Sequence, residues 1–150
     1  MEKKIGLLGC GALSRTFLKI QEEYLKKEYS ILGIYTRSPQ KSEDLKERYP
    51  LYDSMEALLE AGPNMMVEFA GVEALKEYGP SILLRGVSLV AASIGALADA
   101  VFYEKMESAA NSAGCQVQFG TGSFGGTFHF FIKYCICQSA DGGCHQTYTP

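Results

Sequence analysis

The stretch Lys4-Ile5-Gly6-Leu7-Leu8-Gly9-Cys10-Gly11-Ala12-Leu13-Ser14 constrains the fold more than any other, because it runs a short apolar strand into a glycine turn and then into a helix. Gly9 permits the tight turn, Gly11 lets a ligand approach the backbone, and the free N–H groups of the new helix face the same spot. Such a spot suits a diphosphate. The full dinucleotide fingerprint is G-x-G-x-x-G/A; its third place is here Ser14, small enough for close packing of helix on strand. The plain alternative is a glycine-bearing strand-to-helix turn that binds nothing.

The pattern that follows repeats this unit. Phe17, Leu18, Ile20, Tyr24 and Leu25 recur at helical spacing, which predicts a helix from Ala12 to about Lys27. Strands are expected over Ser30–Tyr35, Leu51–Asp53, Met65–Gly71, Ser88–Ser93 and Gln116–Phe119. Between them come a short polar helix opened by Pro39, a helix capped by Asp53 or Ser54, and a helix from Val72 to about Leu84 that Gly79-Pro80 should kink or restart. A last helix runs from Asp99 to about Ala113 and is closed by Gly114. Strands alternating with helices at this spacing imply an α/β, Rossmann-like fold, a mostly parallel sheet with helices on both faces. Residues 1–126 make that domain, and residues 127–150 an atypical tail with no pattern that specifies a packed element.

With 150 residues the chain has room for one such domain and not for a second. It carries 14 Lys+Arg against 17 Asp+Glu, and this mildly acidic balance without a basic cluster argues against nucleic acid and anionic membranes as partners. The four residues Ile5–Leu8 before the turn are too few for a signal-peptide core, no run is long enough to cross a bilayer, and a cytoplasmic protein is expected. Five cysteines, an odd number, argue against a secreted disulfide framework. Cys135-x-Cys137 with Cys144-His145 offers zinc-ligand types, but one residue between the first pair is fewer than structural zinc sites use, so no metal site is expected.

In a parallel sheet, ligands gather at the carboxyl ends of the strands. Gly9–Leu13, Thr36–Lys41, Ala70-Gly71, Ser93–Ala98 and the second glycine loop Thr121–Gly126 meet that rule. No carboxylate ends the second strand, where an NAD-specific site holds the ribose 2′-hydroxyl; Arg37, Ser38 and Lys41 stand there instead. An Arg fork with a hydroxyl matches a 2′-phosphate, which favours NADP over NAD; the alternative is an ordinary solvated surface. His129, among Phe128, Phe130 and Phe131, reads as a packed histidine more than as a base, and Asp99 as a helix cap. Glu68, if buried in its strand, needs a partner. No catalytic residue is assigned.

The ordered motifs Gly9–Ser14, Val67-Glu-Phe-Ala-Gly71, Lys76-Glu-Tyr78, Ala92-Ser-Ile-Gly-Ala-Leu-Ala-Asp99 and Gly122-Ser-Phe-Gly-Gly126 resemble the L-aspartate dehydrogenase family over roughly Lys4 to Gly126. The resemblance implies an NAD(P)-dependent oxidoreductase that takes L-aspartate to iminoaspartate, which hydrolyses to oxaloacetate and ammonia. It implies that Gly9, Gly11, Ala12 and Leu13 hold the diphosphate, and that Ala70, Gly71 and Ser93 line the nicotinamide ribose. Ser123 stands where the family has an alanine beside the nicotinamide. The family's catalytic histidine and a cofactor-binding asparagine belong to a following substrate domain and have no counterpart here. A truncated isoform with little or no activity is the resulting expectation. The alternative is a non-catalytic dinucleotide-binding or interaction module, which would self-associate through residues 128–136.

Overall fold

In five of the six strands of the central sheet, neighbouring residues feed two separate apolar cores, and this fixes helices on both faces. The computed structural model describes residues 2–120. Six strands, β1 (Lys3–Leu8), β2 (Tyr29–Tyr35), β3 (Leu51–Tyr52), β4 (Met65–Glu68), β5 (Ser88–Ala91) and β6 (Val117–Phe119), pair in parallel in the order β3-β2-β1-β4-β5-β6. Ile5, Leu7, Val67 and Val90 join one core, with Phe17 and Leu18 of helix α1 (Ala12–Ile20). Leu8, Met66 and Leu89 join the other, under α3 (Met55–Glu60), α4 (Val72–Leu84) and α5 (Ala100–Ala113). Each fully buried Leu, Ile or Phe of these cores contributes about 1.5–3 kcal/mol relative to leaving it in water. The α/β, Rossmann-like reading with a mostly parallel sheet is what the structure has. The chain steps outward from β1 to β3 and then returns to the other side as β4, so the order reverses between β1 and β4.

The elements differ from the sequence reading at their ends. The α-helical part of α1 stops at Ile20, and a π-helical turn, Gln21–Leu25, continues it; the buried Gln21 amide there donates to the Tyr29 carbonyl at 2.6 Å. Pro39 opens a 3-10 turn, Pro39–Ser42, ahead of the one-turn α2 (Glu43–Lys46). Helix α4 runs unbroken through Gly79-Pro80, against the expected kink or restart. Ala74, Leu75, Gly79, Pro80, Ile82 and Leu83 are all buried, and that packing offsets the roughly 3 kcal/mol a helical proline costs. Residues Ile94–Ala98, expected as loop, form a 3-10 turn ahead of α5. No helix among the described residues is long and apolar enough to cross a membrane.

The last residue of β4 ties the strand ends together. Glu68 is fully buried, and its two carboxylate oxygens accept from the N–H groups of Ala70 (2.6 Å), Gly71 (2.8 Å) and Ser93 (3.1 Å) and from the Ser93 hydroxyl (2.8 Å). Hydrogen bonds to a charged group are stronger than neutral ones, so one side chain sets the course of the backbone leaving both β4 and β5. Strand β4 ends at Glu68 and not at Gly71: the Phe69 N–H still donates to the Leu8 carbonyl at 2.9 Å, and the Ala70 and Gly71 N–H groups then turn to the carboxylate.

Two predictions follow from this packing. Glu68→Gln turns one acceptor oxygen into a donor facing an N–H, and should destabilise the chain by about 1–3 kcal/mol in denaturant unfolding; an unchanged midpoint would show that the carboxylate is not what holds the loops. The second concerns acid. Exposed Asp44, Glu22 and Asp99 are held below the usual carboxyl range by Arg15, Arg48 and Lys76 respectively. The unfolded chain therefore binds protons first on acidification, so their contribution is complete above the ordinary carboxyl pKa of about 4 and is lost as pH falls through the lower folded values. Thermal melts should hold level from about pH 7 to about pH 5 and decline below about pH 4, with Asp99→Asn reducing the decline.

Candidate functional site

A cleft of about 280 Å³ opens at the carboxyl ends of β1, β2 and β4, lined by Leu8–Gly11, Tyr35–Ser38, Phe69, Ala70 and Ala74. It sits at the point where the strand order reverses, where an open parallel sheet leaves a crevice.

The glycine turn builds its floor. Gly9 has φ +98°, and a Cβ there would lie 2.9 Å from the Ala70 Cβ, so both conformation and the closeness of the β4 end require glycine. Gly11 differs: its φ is an ordinary −77°, and a Cβ would meet nothing within 4 Å. The protein's own packing does not demand glycine at 11; the open space before α1 does, if something is to fill it. Helix α1 has Gly11 as its cap residue, no side-chain cap and no acid in its first turn, which leaves the N–H groups of Ala12 and Leu13 and the positive helix end available to an anion. Ser14 is fully buried and donates its hydroxyl to the Gly9 carbonyl at 2.9 Å, pinning helix to turn. The third fingerprint place thus holds a bond as well as a small residue. Cys10, also in the lining, is hydrogen-bonded to Ser42.

The second wall is the end of β2. Arg37 and Ser38 both line the cleft, as the strand-end rule predicted, whereas Lys41 is not in the lining. The Ser38 N–H donates to the Thr36 hydroxyl oxygen at 3.2 Å. Arg37 pairs with Glu77 of α4 and lies over the Tyr78 ring, 5.9 Å from its centroid. The Glu77 charge raises the Arg37 guanidinium further above its ordinary value. Tyr78 in turn shares a 2.7 Å hydrogen bond with the Tyr35 hydroxyl, the rings meeting edge to face at 5.2 Å; that bond, with burial, pushes the Tyr78 phenol up. Glu77 and Tyr78 stand in the motif Lys76-Glu-Tyr78 but had no expected place at this wall, because nothing in the sequence brings a helix residue to a strand end. Their spacing of three and four from the lining residue Ala74 puts them on its face of the helix.

The third wall continues along β4 and β5. Ala70 lines the cleft, Gly71 follows it with φ +99° as the cap of α4, and Ser93 lies beside both through Glu68. Gly71 and Ser93 are not themselves in the cleft lining; the Ser93 proton goes to Glu68, which leaves its hydroxyl oxygen only an acceptor role. Asp99 caps α5 by accepting from the Phe102 N–H at 3.1 Å and pairs with Lys76 at 2.9 Å, so it is engaged as a structural acid, as its sequence position suggested. Ser123, the second glycine loop, His129, His145, the segment 128–136 and Cys135, Cys137 and Cys144 lie outside the described residues.

Comparison with known proteins agrees with this geometry. A protein-family model described as the NAD binding domain of homoserine dehydrogenase matches residues 9–120. L-aspartate dehydrogenase 1 of Bordetella pertussis is 34% identical over 123 residues, covering 82% of this chain and 46% of that protein. Among solved structures, the aspartate dehydrogenase of Thermotoga maritima matches with a TM-score of 0.61 at 22% identity, over 92% of this chain and 52% of that one. A hyperthermophilic archaeal homoserine dehydrogenase in complex with NADPH matches with a TM-score of 0.65 at 20% identity, over 79% and 44%. The chain spans about half the length of the curated relatives it matches. A parallel sheet reversing at β1 and β4, a glycine turn aimed at an uncapped helix and this family match converge: the chain belongs to the family of NAD-binding domains found in homoserine dehydrogenase, with L-aspartate dehydrogenases among its relatives.

Proposed function

We propose that this chain binds NADP, and NAD less tightly, in the cleft at the ends of β1, β2 and β4, as the nucleotide-binding portion of an L-aspartate dehydrogenase. The observation that carries the reading is the pairing of the open space at Gly11 with the uncapped start of α1. Gly11, Ala12 and Leu13 hold the diphosphate on backbone N–H groups, and Gly9, whose own N–H donates to the Tyr35 carbonyl at 2.9 Å, shapes the turn beneath it. Arg37 and Ser38 take the adenosine ribose and its 2′-phosphate. Ala70, Gly71, Ser93 and Ser123 line the nicotinamide side, with Ser93 accepting from a ribose hydroxyl. The bound cofactor would accept a hydride from the amino-bearing carbon of L-aspartate.

Residues 1–126 form the cofactor domain in this reading, and residues 127–150 a tail. No side chain lining the cleft is a free acid or base among the described residues: the thiol of Cys10 is bonded to Ser42, and Arg37 is a permanent cation. Orientation of substrate against cofactor can account for about 7–11 kcal/mol of barrier, and a positioned acid or base for a further 10²–10⁴-fold or so. With no such group among the side chains lining the cleft, the described residues bind the cofactor without efficient turnover. The second reading, a dinucleotide-binding module without catalysis, rests on the same observation.

Calorimetry should show NADPH binding more tightly than NADH; the reverse order would remove the 2′-phosphate role of Arg37. Gly11→Val should weaken both by more than about tenfold without lowering the melting midpoint, since a side chain at 11 meets open space and not protein. With L-aspartate and NADP, the rate of NADPH formation should stay far below about 1 s⁻¹, the lower edge of ordinary turnover. A rate near that value would show a catalytic group in this chain, with His129→Ala the first variant to make.

A further inference from the structure

We propose that Glu77 sets the cofactor choice of this cleft by competing with a 2′-phosphate for Arg37, an inference that rests on the dinucleotide reading above. The end of β2 carries no acid, yet a carboxylate reaches it from another element. Ala74 lines the cleft, and Glu77 and Tyr78 follow on the same face of α4, three and four residues on. Glu77 there pairs with Arg37, the residue that faces the ribose end.

The guanidinium has a defined place. It lies over the Tyr78 ring, and Tyr78 is fixed to β2 by its hydrogen bond with Tyr35. The ion pair is half exposed on both sides, with side-chain exposures of 55% for Arg37 and 52% for Glu77, and a surface pair of this kind is weak enough to exchange partners.

A 2′-phosphate brings roughly −1.5 to −2 charges at neutral pH, as phosphomonoesters do. It gains from Arg37 only by taking the guanidinium from Glu77, and it then stands beside a carboxylate. A 2′-hydroxyl leaves the ion pair intact and can donate to Glu77, as it would to an acid at the strand end. Arg37 and Ser38 therefore favour NADP while Glu77 restrains that preference, and the chain accepts both cofactors. Glu77 acts partly by its own charge and partly by occupying Arg37.

The test is calorimetry on the full chain with NADPH and NADH, comparing wild type, Glu77→Gln, Glu77→Ala, Arg37→Ala and the Arg37→Ala/Glu77→Gln double variant. Both Glu77 variants should raise the NADPH-to-NADH affinity ratio by about tenfold, the effect of removing a like charge and freeing a cation. In the Arg37→Ala background the Glu77→Gln effect should shrink to less than half on a logarithmic scale. Glu77 is exposed, so matching melting curves will show the variants folded. An unchanged or lowered ratio with both cofactors still bound overturns this inference and leaves the dinucleotide site standing. A full-sized effect without Arg37 overturns the competition for that residue. Binding of neither cofactor by the wild type overturns both readings.

Discussion

The carboxylate of Glu68 is the interaction on which the rest of the site depends. A buried acid is costly unless donors surround it, and here three N–H groups and a hydroxyl supply what water would. Satisfying that charge bends the chain after β4 and holds Ser93, after β5, against it. Ala70 is thereby set beneath Gly9, close enough that a Cβ at position 9 would lie 3.0 Å from the Ala70 nitrogen. The glycine turn and the β4 loop thus become two walls of one cleft.

Electrostatics divide that cleft into two ends. The start of α1 is positive through its uncapped N–H groups and has no acid in its first turn to neutralise them. At the β2 end a full positive charge is present, but it is shared with Glu77 and laid over an aromatic ring. A helix dipole cannot be withdrawn, whereas a surface ion pair can exchange. In the proposed reading, diphosphate affinity is a property of the backbone and discrimination at the ribose a property of side chains.

Much of this was legible in the chain. The strand Lys4–Leu8, the turn at Gly9 and the alternation of apolar strands with helices require only local rules, and the structure has all six strands near their expected places. Arg37, Ser38 and Ala70 fell on the cleft because a parallel sheet puts its strand ends on one side. Boundaries were less legible. Met65–Gly71 reads as one apolar run, but after Phe69 bonds across to Leu8 the Ala70 and Gly71 N–H groups turn to the buried carboxylate instead. Gly79-Pro80 reads as a break, and only its burial together with four neighbouring positions, Ala74, Leu75, Ile82 and Leu83, explains why α4 passes through it.

By itself the sequence determined the sheet, its parallel sense and the glycine turn into α1, since periodicity and glycine placement act over a few residues and need no partner far away. Tertiary structure alone decided what Glu68 binds, that Ser14 bonds back to Gly9, and that Glu77 meets Arg37. Glu68 and Ser93 are 25 residues apart, and Arg37 and Glu77 are 40 apart. A charge or a hydroxyl carries no direction along the chain. Its partner is chosen by which strand ends and helix faces the completed sheet brings within a few ångströms, and that choice exists only once the sheet has closed.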